Sequence, residues 1–306
     1  MPPRITLREV GLRDGLQAET AILSLTDKVA LYRALVGAGL SRIEATSFVA
    51  AKAIPQLADA GPFLAAVGPH PDVWLSALAP NLTGAERAVA AGVDEVTVFL
   101  SASETHNRHN VRRSVQQSLS QAADIASALA GSQVVRSAVI ATAFECPYEG
   151  PQDAAKVAEL ARRLREMGYA PILFGDTIGA ANPVTVSRLL EATERHLPVR
   201  EIGLHFHNTR DSALANLLVG LEHGVTLFDA AVGGMGGCPY APGATGNVAS
   251  EDVVAMVEAM GITTGVDLAK AIAAAALAQD LVGRQLPSAC LRAFDREQGT
   301  WTAYAH

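Results

Sequence analysis

The chain switches between two periodicities, and it does so eight times. Runs rich in β-branched and apolar residues lie at 5–10, 42–49, 73–79, 95–103, 133–144, 171–177, 201–209 and 226–235. Helical spacing follows each of them, at 27–39, 53–60, 83–91, 114–129, 153–168, 183–196, 212–223 and 250–260. Strands separated by helices are joined by crossovers and therefore pair in parallel. Eight such units at roughly thirty-residue spacing predict an α/β fold of the (β/α)8 TIM-barrel class. A doubly wound sheet is the competing arrangement, but it seldom carries eight such regular units. No G-x-G-x-x-G follows the first strand to support it.

The 306 residues suit one domain, with the barrel over about 4–262 and extra helices over about 266–306. A hydrophobic fraction of 49% supplies a sizeable core. The net charge of −7 argues against a nucleic-acid partner held by bulk electrostatics, while leaving room for an anionic small molecule in a locally basic pocket. Cys146, Cys238 and Cys290 are widely spaced, so no disulfide framework is expected and a reducing cytoplasm fits best. The opening residues carry no apolar signal core, and the most apolar helical stretch, 271–278, is too short to cross a membrane.

Barrels of this kind carry their chemistry at the C-terminal ends of the strands. Arg13 and Asp14 follow the first strand, either as an incidental ion pair in a turn or as functional groups. Glu44 stands inside the second strand and needs a partner there, with Arg13 as a candidate. Asp176 ends the sixth strand, as a base, as a supporting group or as a cap of the following helix. His205 and His207 end the seventh, two residues apart, so both rings point to one face. Lone histidines are usually structural. Two at the catalytic end, with an aspartate from the first strand nearby, favour a metal site. Two imidazoles plus oxygen ligands such as Asp14 suit Mg²⁺ or Mn²⁺ better than a thiolate-rich zinc site. Residues 233–247 form a glycine-rich loop that can move or let its backbone approach a ligand, and Cys238 on it would be accessible.

Several stretches, in order along nearly the whole chain, match one group of enzymes. They are "EVGLRDGLQAE" (9–19), "IEATSFV" (43–49), "SASE" (101–104), "CPYEG" (146–150), "GDTIG" (175–179), "HFHNT" (205–209), "ALAN" (213–216), "GGCPYAPGATGN" (236–247) and "ASEDVVAMVEAMGITTGVDL" (249–268). With them the chain resembles the 3-hydroxy-3-methylglutaryl-CoA lyase family, within a larger group of metal-dependent lyases, aldolases and condensing enzymes on barrels. The loop at 236–247 is the signal specific to the lyase branch.

The resemblance implies a carbon–carbon lyase that splits a 3-hydroxy-acyl-CoA thioester to acetyl-CoA and a keto acid. It implies Asp14, His205, His207 and Asn247 as ligands of the divalent cation, and Arg13 as the group that stabilises the enolate oxygen. Cys238 would be the loop thiol that returns a proton to carbon, Glu44 a support for Arg13 and the metal site, and Asp176 an acid/base candidate. Arg13, Gln17, Ser47 and Arg210 would meet the substrate. A homodimer is implied as well.

Two places depart from the family pattern. The family reads roughly H-x-H-D-T-Y-G where this chain has Asn208, Arg210 and Asp211. These changes either reshape recognition of the substrate's acid group or simply open helix 212–223. The run Thr105 to Arg113 is rich in arginine and histidine, and would either meet CoA phosphates or be a solvated helix start. Related substrates such as citramalyl-CoA, 3-methylmalyl-CoA or a longer branched 3-hydroxyglutaryl-CoA fit the same chemistry. A condensing enzyme or a pyruvate aldolase of the group would not be expected to carry the Cys238 loop. A scaffold barrel would be expected to have lost part of the metal set.

Overall fold

The computed structural model describes residues 1–237, 246–295 and 300–301. Eight parallel strands close into a barrel: β1 (Thr6–Glu9), β2 (Arg42–Ser47), β3 (Trp74–Leu78), β4 (Glu95–Ser101), β5 (Val135–Ala141), β6 (Ile172–Asp176), β7 (Ile202–Phe206) and β8 (Leu227–Ala230). Around the wall they run β1-β8-β7-β6-β5-β4-β3-β2, as the sequence alternation predicts. The outer layer is α1 (Leu25–Gly37), α2 (Ala60–Val67), α3 (Leu82–Ala90), α4 (Glu104–Val111), α5 (Val115–Ala128), α6 (Ala154–Glu166), α7 (Pro183–Thr193), α8 (Ala213–Glu222) and α9 (Ser250–Ala259). No helix among the described residues is long and apolar enough to cross a membrane.

Strand alternation sorts the side chains. On β4, Val96, Val98 and Leu100 belong to the buried core, whereas Glu95 and Thr97 reach the barrel interior, where Arg8 lies between them. Burying each such aliphatic side chain contributes about 1.5–3 kcal/mol, and the layer between barrel and helices holds most of them. Several helix starts follow from local chemistry. Ser24, Asn81, Ser114, Asp153 and Asn182 each accept a backbone N–H of the first turn of their helix.

The structure corrects some expected boundaries. The helix expected at 53–60 is a short 3₁₀ turn, Pro55–Leu57, followed by α2, which ends at Gly68 with φ +64°. The eighth strand stops at Ala230 and gives way to a tight turn at Val232–Gly234. That turn is buried and apolar, so in sequence it reads as strand. Helix α4 lacks an apolar stripe and gave no periodic signal. Ser103 caps it, and its buried Asn107 ties it down by accepting the Ser101 N–H and donating to Ser118 Oγ.

Beyond the barrel, α10 (Leu268–Val282) packs against α1 and α9, and α11 (Ala289–Ala293) follows. Phe294–Asp295 then pairs antiparallel with Thr300–Trp301, so the appended segment is not helical throughout.

Candidate metal centre and cavity

After β1 the chain makes one π-helical turn, Gly11–Gly15, in which the N–H groups of Arg13, Asp14 and Gly15 all converge on the Val10 carbonyl at 3.1, 2.7 and 3.2 Å. Such wide turns are rare and cluster at functional sites. This one turns Asp14 toward the barrel mouth. A side chain at Gly15 would come within 2.9 Å of Met235 Cβ, so glycine lets the turn press against the segment after β8.

Register does the rest. Arg8 on β1 pairs with Asp229 on β8, Asp229 pairs with His205 on β7, and His205 pairs with Gly175 on β6. His205 Nδ1 bonds Asp229 Oδ2 at 3.0 Å, which leaves Nε2 as the ring's other coordinating atom. His207 lies two residues on, with the two ring centroids 5.2 Å apart. Asn247 is bridged to His207, because Asn208 N–H donates to Gly246 O and Val248 N–H to Phe206 O.

Asp14, His205 and His207 each offer a ligand atom, and these atoms lie within 4.8 Å of one another. Ligands about 2.0–2.2 Å from one ion span that range. Asn247 Nδ2 donates to Asp14 Oδ2 at 2.9 Å and to Met235 O at 3.0 Å, while its buried Oδ1 has no hydrogen-bond partner. A buried amide oxygen without a donor, beside a carboxylate and two imidazoles, fits a divalent cation.

The electrostatics agree. Burial alone would raise the Asp14 carboxyl, but Arg13 and the two histidines hold it well below the usual carboxylate range. Burial and then the neighbouring His205 push His207 down to about 4, which keeps it a neutral donor. Burial works against a charge on His205, but its bond to the Asp229 carboxylate raises it overall.

Arg13 is fixed from two sides. Its Nε donates to Glu44 Oε2 at 2.5 Å and its Nη1 to Asp14 Oδ1. The pairing of Arg13 with Glu44, considered from sequence, is thus present. Arg13, Asp14, Gln17, His205 and His207 all line a cavity of about 550 Å³ at the strand ends.

Other expected residues lie elsewhere. Gly175 and Thr177 line the cavity, so alternation turns Asp176 outward. There it is fully buried, and its Oδ1 accepts the N–H groups of Ala180 and Ala181 at 2.9 and 3.1 Å. Burial pushes it up to about 6. It does not cap α7, whose cap is Asn182. Ser47 is buried at the end of β2, off the cavity wall, with no partner for its hydroxyl. Arg210 is also off the wall: its side chain is 59% exposed and lies 3.8 Å from Glu145. Asn208 organises the start of α8, accepting the Ala213 N–H at 3.2 Å and donating to Asp211 at 3.1 Å. Asn208 and Asp211 therefore shape a helix start, while Arg210 lies at the surface beside Glu145. Cys238 lies outside the described residues.

Sequence reasoning also missed groups. Arg8 grips Asp229 through two 2.8 Å bonds and reaches Glu95 at 3.3 Å, and Glu95 also pairs with Arg42. Glu9 accepts Gly11 N–H and Val232 N–H at 2.7 and 2.9 Å and the Ser250 hydroxyl, while Glu251 accepts Gly233 N–H at 3.1 Å. These two carboxyls hold the turn that leads into the 235–247 segment. For Arg8, Glu9, Glu95 and Asp229 the available signal was the one used for Glu44, a charge inside an apolar strand, whereas Glu251 stands in α9 and carried no such signal.

Comparison with known proteins agrees with this geometry. The HMGL-like family model matches residues 4–278. A hydroxymethylglutaryl-CoA lyase of Bacillus subtilis is 43% identical over 96% of this chain and 98% of its own length. The crystal structure of Bacillus subtilis HMG-CoA lyase superposes with a TM-score of 0.93 at 43% identity, covering 95% of this chain and 99% of that one. An HMG-CoA lyase from Acinetobacter baumannii, in complex with coenzyme A and 3-methylmalate, gives 0.91 at 40% identity over 95% of both chains. The match spans the barrel and every described residue of the candidate metal centre, and the chain belongs to the HMGL-like family.

Proposed function

We propose that the chain is a divalent-metal-dependent carbon–carbon lyase. It cleaves 3-hydroxy-3-methylglutaryl-CoA, or a close 3-hydroxy-acyl thioester, to acetyl-CoA and a keto acid, which is acetoacetate for the methylglutaryl substrate. The observation that carries this reading is the convergence of Asp14, His205, His207 and the unpartnered Asn247 Oδ1 beside a fixed Arg13 at the mouth of one cavity. Those four residues would hold the cation, Mg²⁺ or Mn²⁺ by the chemistry of the donor set. When bound, the cation supplies a Lewis acid that lowers the pKa of the substrate's 3-hydroxyl.

The chain's own groups do the rest. Transfer of the 3-hydroxyl proton to a water in the cavity and cleavage of the bond between C2 and C3 make C3 the keto carbon and leave C2 as a thioester enolate. Arg13 presents a guanidinium already oriented by Glu44 and Asp14, so no reorganisation accompanies the charge that develops on the thioester oxygen. Gln17, on the same wall, contributes a polar contact to the bound acyl group. Cys238 is assigned, from the family motif, the return of a proton to C2. Asp176 acts through the 177–181 turn, whose Thr177 lines the cavity, and not on the substrate itself.

A second reading, a lyase for a related thioester such as 3-methylmalyl-CoA, is favoured by the 3-methylmalate in the Acinetobacter baumannii complex. A cytoplasmic setting suits the free, buried Cys146 and Cys290. The homodimer rests on the family resemblance alone, and sizing in solution decides it.

The test is direct. The protein with Mg²⁺ or Mn²⁺ is offered a panel of 3-hydroxy-acyl-CoA thioesters, and acetyl-CoA release is followed. The expected result is fastest release from the methylglutaryl thioester. No release from any member, with metal bound, would remove the lyase assignment.

A further inference from the structure

The cavity has a second arginine, and the metal centre does not use it. Arg113 follows α4 and lines the cavity beside Asn81, Phe99 and Asn110. In the barrel order β3 stands four places from β7, and β4 four places from β8. Pro80 and Asn81 follow β3 and Arg113 follows the β4 unit, so this group faces the histidines from the opposite wall.

Its backbone is pinned. Asn107 donates to the Arg113 carbonyl at 2.9 Å while holding Ser101 at the end of β4 and Ser118 in α5. Its side chain is only partly used. Nη1 donates to Pro80 O at 3.2 Å and to Gln121 Oε1, and both acceptors are neutral. No carboxylate among the described residues forms an ion pair with it, whereas Arg13 has two. Nε and Nη2 make no hydrogen bond to a described residue, so donors remain on a half-buried, uncompensated cation in a cavity wall. A guanidinium in that state is arranged for an anion that arrives with the ligand.

We infer that Arg113 is a specificity residue that binds an anionic group of the substrate on the wall opposite the metal ligands. That group is either the free carboxylate of the acyl part or a phosphate of coenzyme A. The inference takes its ligands from the lyase reading, but its test uses binding alone, so it is decided even if no turnover is found.

The Mg²⁺-loaded protein is titrated calorimetrically with 3-hydroxy-3-methylglutarate, with 3-hydroxy-3-methylbutyrate, which lacks the second carboxylate, and with coenzyme A. The variants are Arg113→Gln, which keeps a donor near Pro80 and Gln121 but removes the charge, and Arg113→Lys, which restores the charge. Loss of a charge-assisted contact is expected to weaken the affected ligand roughly 10- to 100-fold. If Arg113→Gln weakens the diacid and not the monoacid, and Arg113→Lys recovers part of the loss, the acyl carboxylate is the group bound. If it weakens coenzyme A alone and flattens the salt dependence, the phosphate is. If no ligand shifts by more than about twofold in a variant that melts like the parent, Arg113 merely ties Pro80 to Gln121 and the inference is overturned. Failure of the parent to bind the diacid or coenzyme A overturns it equally.

Discussion

Two sets of buried charge share this barrel, one in its middle and one at its mouth, and they differ in what they leave unsatisfied. In the middle, Arg8 binds Asp229 with two nitrogens and Glu95 with a third, and none of the three keeps a buried polar atom without a partner. At the mouth, Asn247 Oδ1, His207 Nδ1 and Glu44 Oε1 are buried with no hydrogen bond. A polar atom left without a partner away from water costs about 1–3 kcal/mol. Beside a carboxylate and two imidazoles on a cavity wall, such atoms fit a ligand that supplies the missing partners. The satisfied set stabilises the barrel, and the unsatisfied set is built for a ligand. Asp229 belongs to both, because its carboxylate bonds Arg8 and His205 at once.

Arg13→Met sharpens the contrast most. It removes a charge aimed at the reaction and leaves the metal ligands in place. Turnover is expected to fall roughly 10²–10³-fold, as for loss of an oxyanion donor, with Mn²⁺ still bound. Steady-state kinetics beside a metal titration checks it, and unchanged turnover would take Arg13 out of the chemistry.

Asp229→Asn tests the shared residue. Burial would raise its carboxyl, but Arg8 and His205 hold it at about 2, so it is ionised in the folded protein. Neutralising it leaves Arg8 buried and underpaired, with an expected loss of about 3–5 kcal/mol in denaturant unfolding. Metal affinity is expected to fall roughly 10–100-fold through the loosened His205. A loss in only one of the two measurements would separate the sets that Asp229 is said to join.

The pH dependence of stability gives a smaller effect. Burial pushes the Glu9 carboxyl from an ordinary 4.5 up to about 7 and that of Glu251 up to about 8. A carboxyl that holds its proton more tightly when folded contributes stability that is full below its unfolded pKa. That stability is lost as pH rises through the folded value. The melting temperature is therefore expected to drop between about pH 5 and 8, and to drop less in Glu251→Gln. An equal drop in the variant would show that Glu251 is not the group titrating.

Asn208→Ala should have the smallest effect. Losing the bond to Ala213 N–H at the start of α8 is expected to cost about 1 kcal/mol, with turnover unchanged. A change in substrate preference instead would put the 208–211 departures back in the cavity.

The fold was legible because the evidence for it is periodic. Strand and helix patterns recur often enough to show eight units, and closure follows from their number. His205 and His207 were legible for the same reason, since a spacing of two on a strand fixes a shared face. The Arg8–Asp229–Glu95 set was not. Its members are 221 and 87 residues apart in pairs, and only barrel closure brings β1 beside β8. Arg210 was expected to meet the substrate, but its place in a motif says nothing of where its side chain turns, and it lies exposed near Glu145. Of the two alternatives for Asn208 and Asp211, the positive φ of Asp211 and the bonds of Asn208 select the helix start. Asp176 was placed at the right strand end, but alternation turned it to the outer side.

The central claim is that Asp14, His205, His207 and Asn247 form one divalent-cation site. Calorimetric titration of Mn²⁺ into the parent protein and into Asp14→Asn tests it most directly. The expected result is one ion bound per chain in the parent and none in the variant, with melting lowered less than in Asp229→Asn. Equal Mn²⁺ binding by parent and variant, or none by a folded parent, would contradict it.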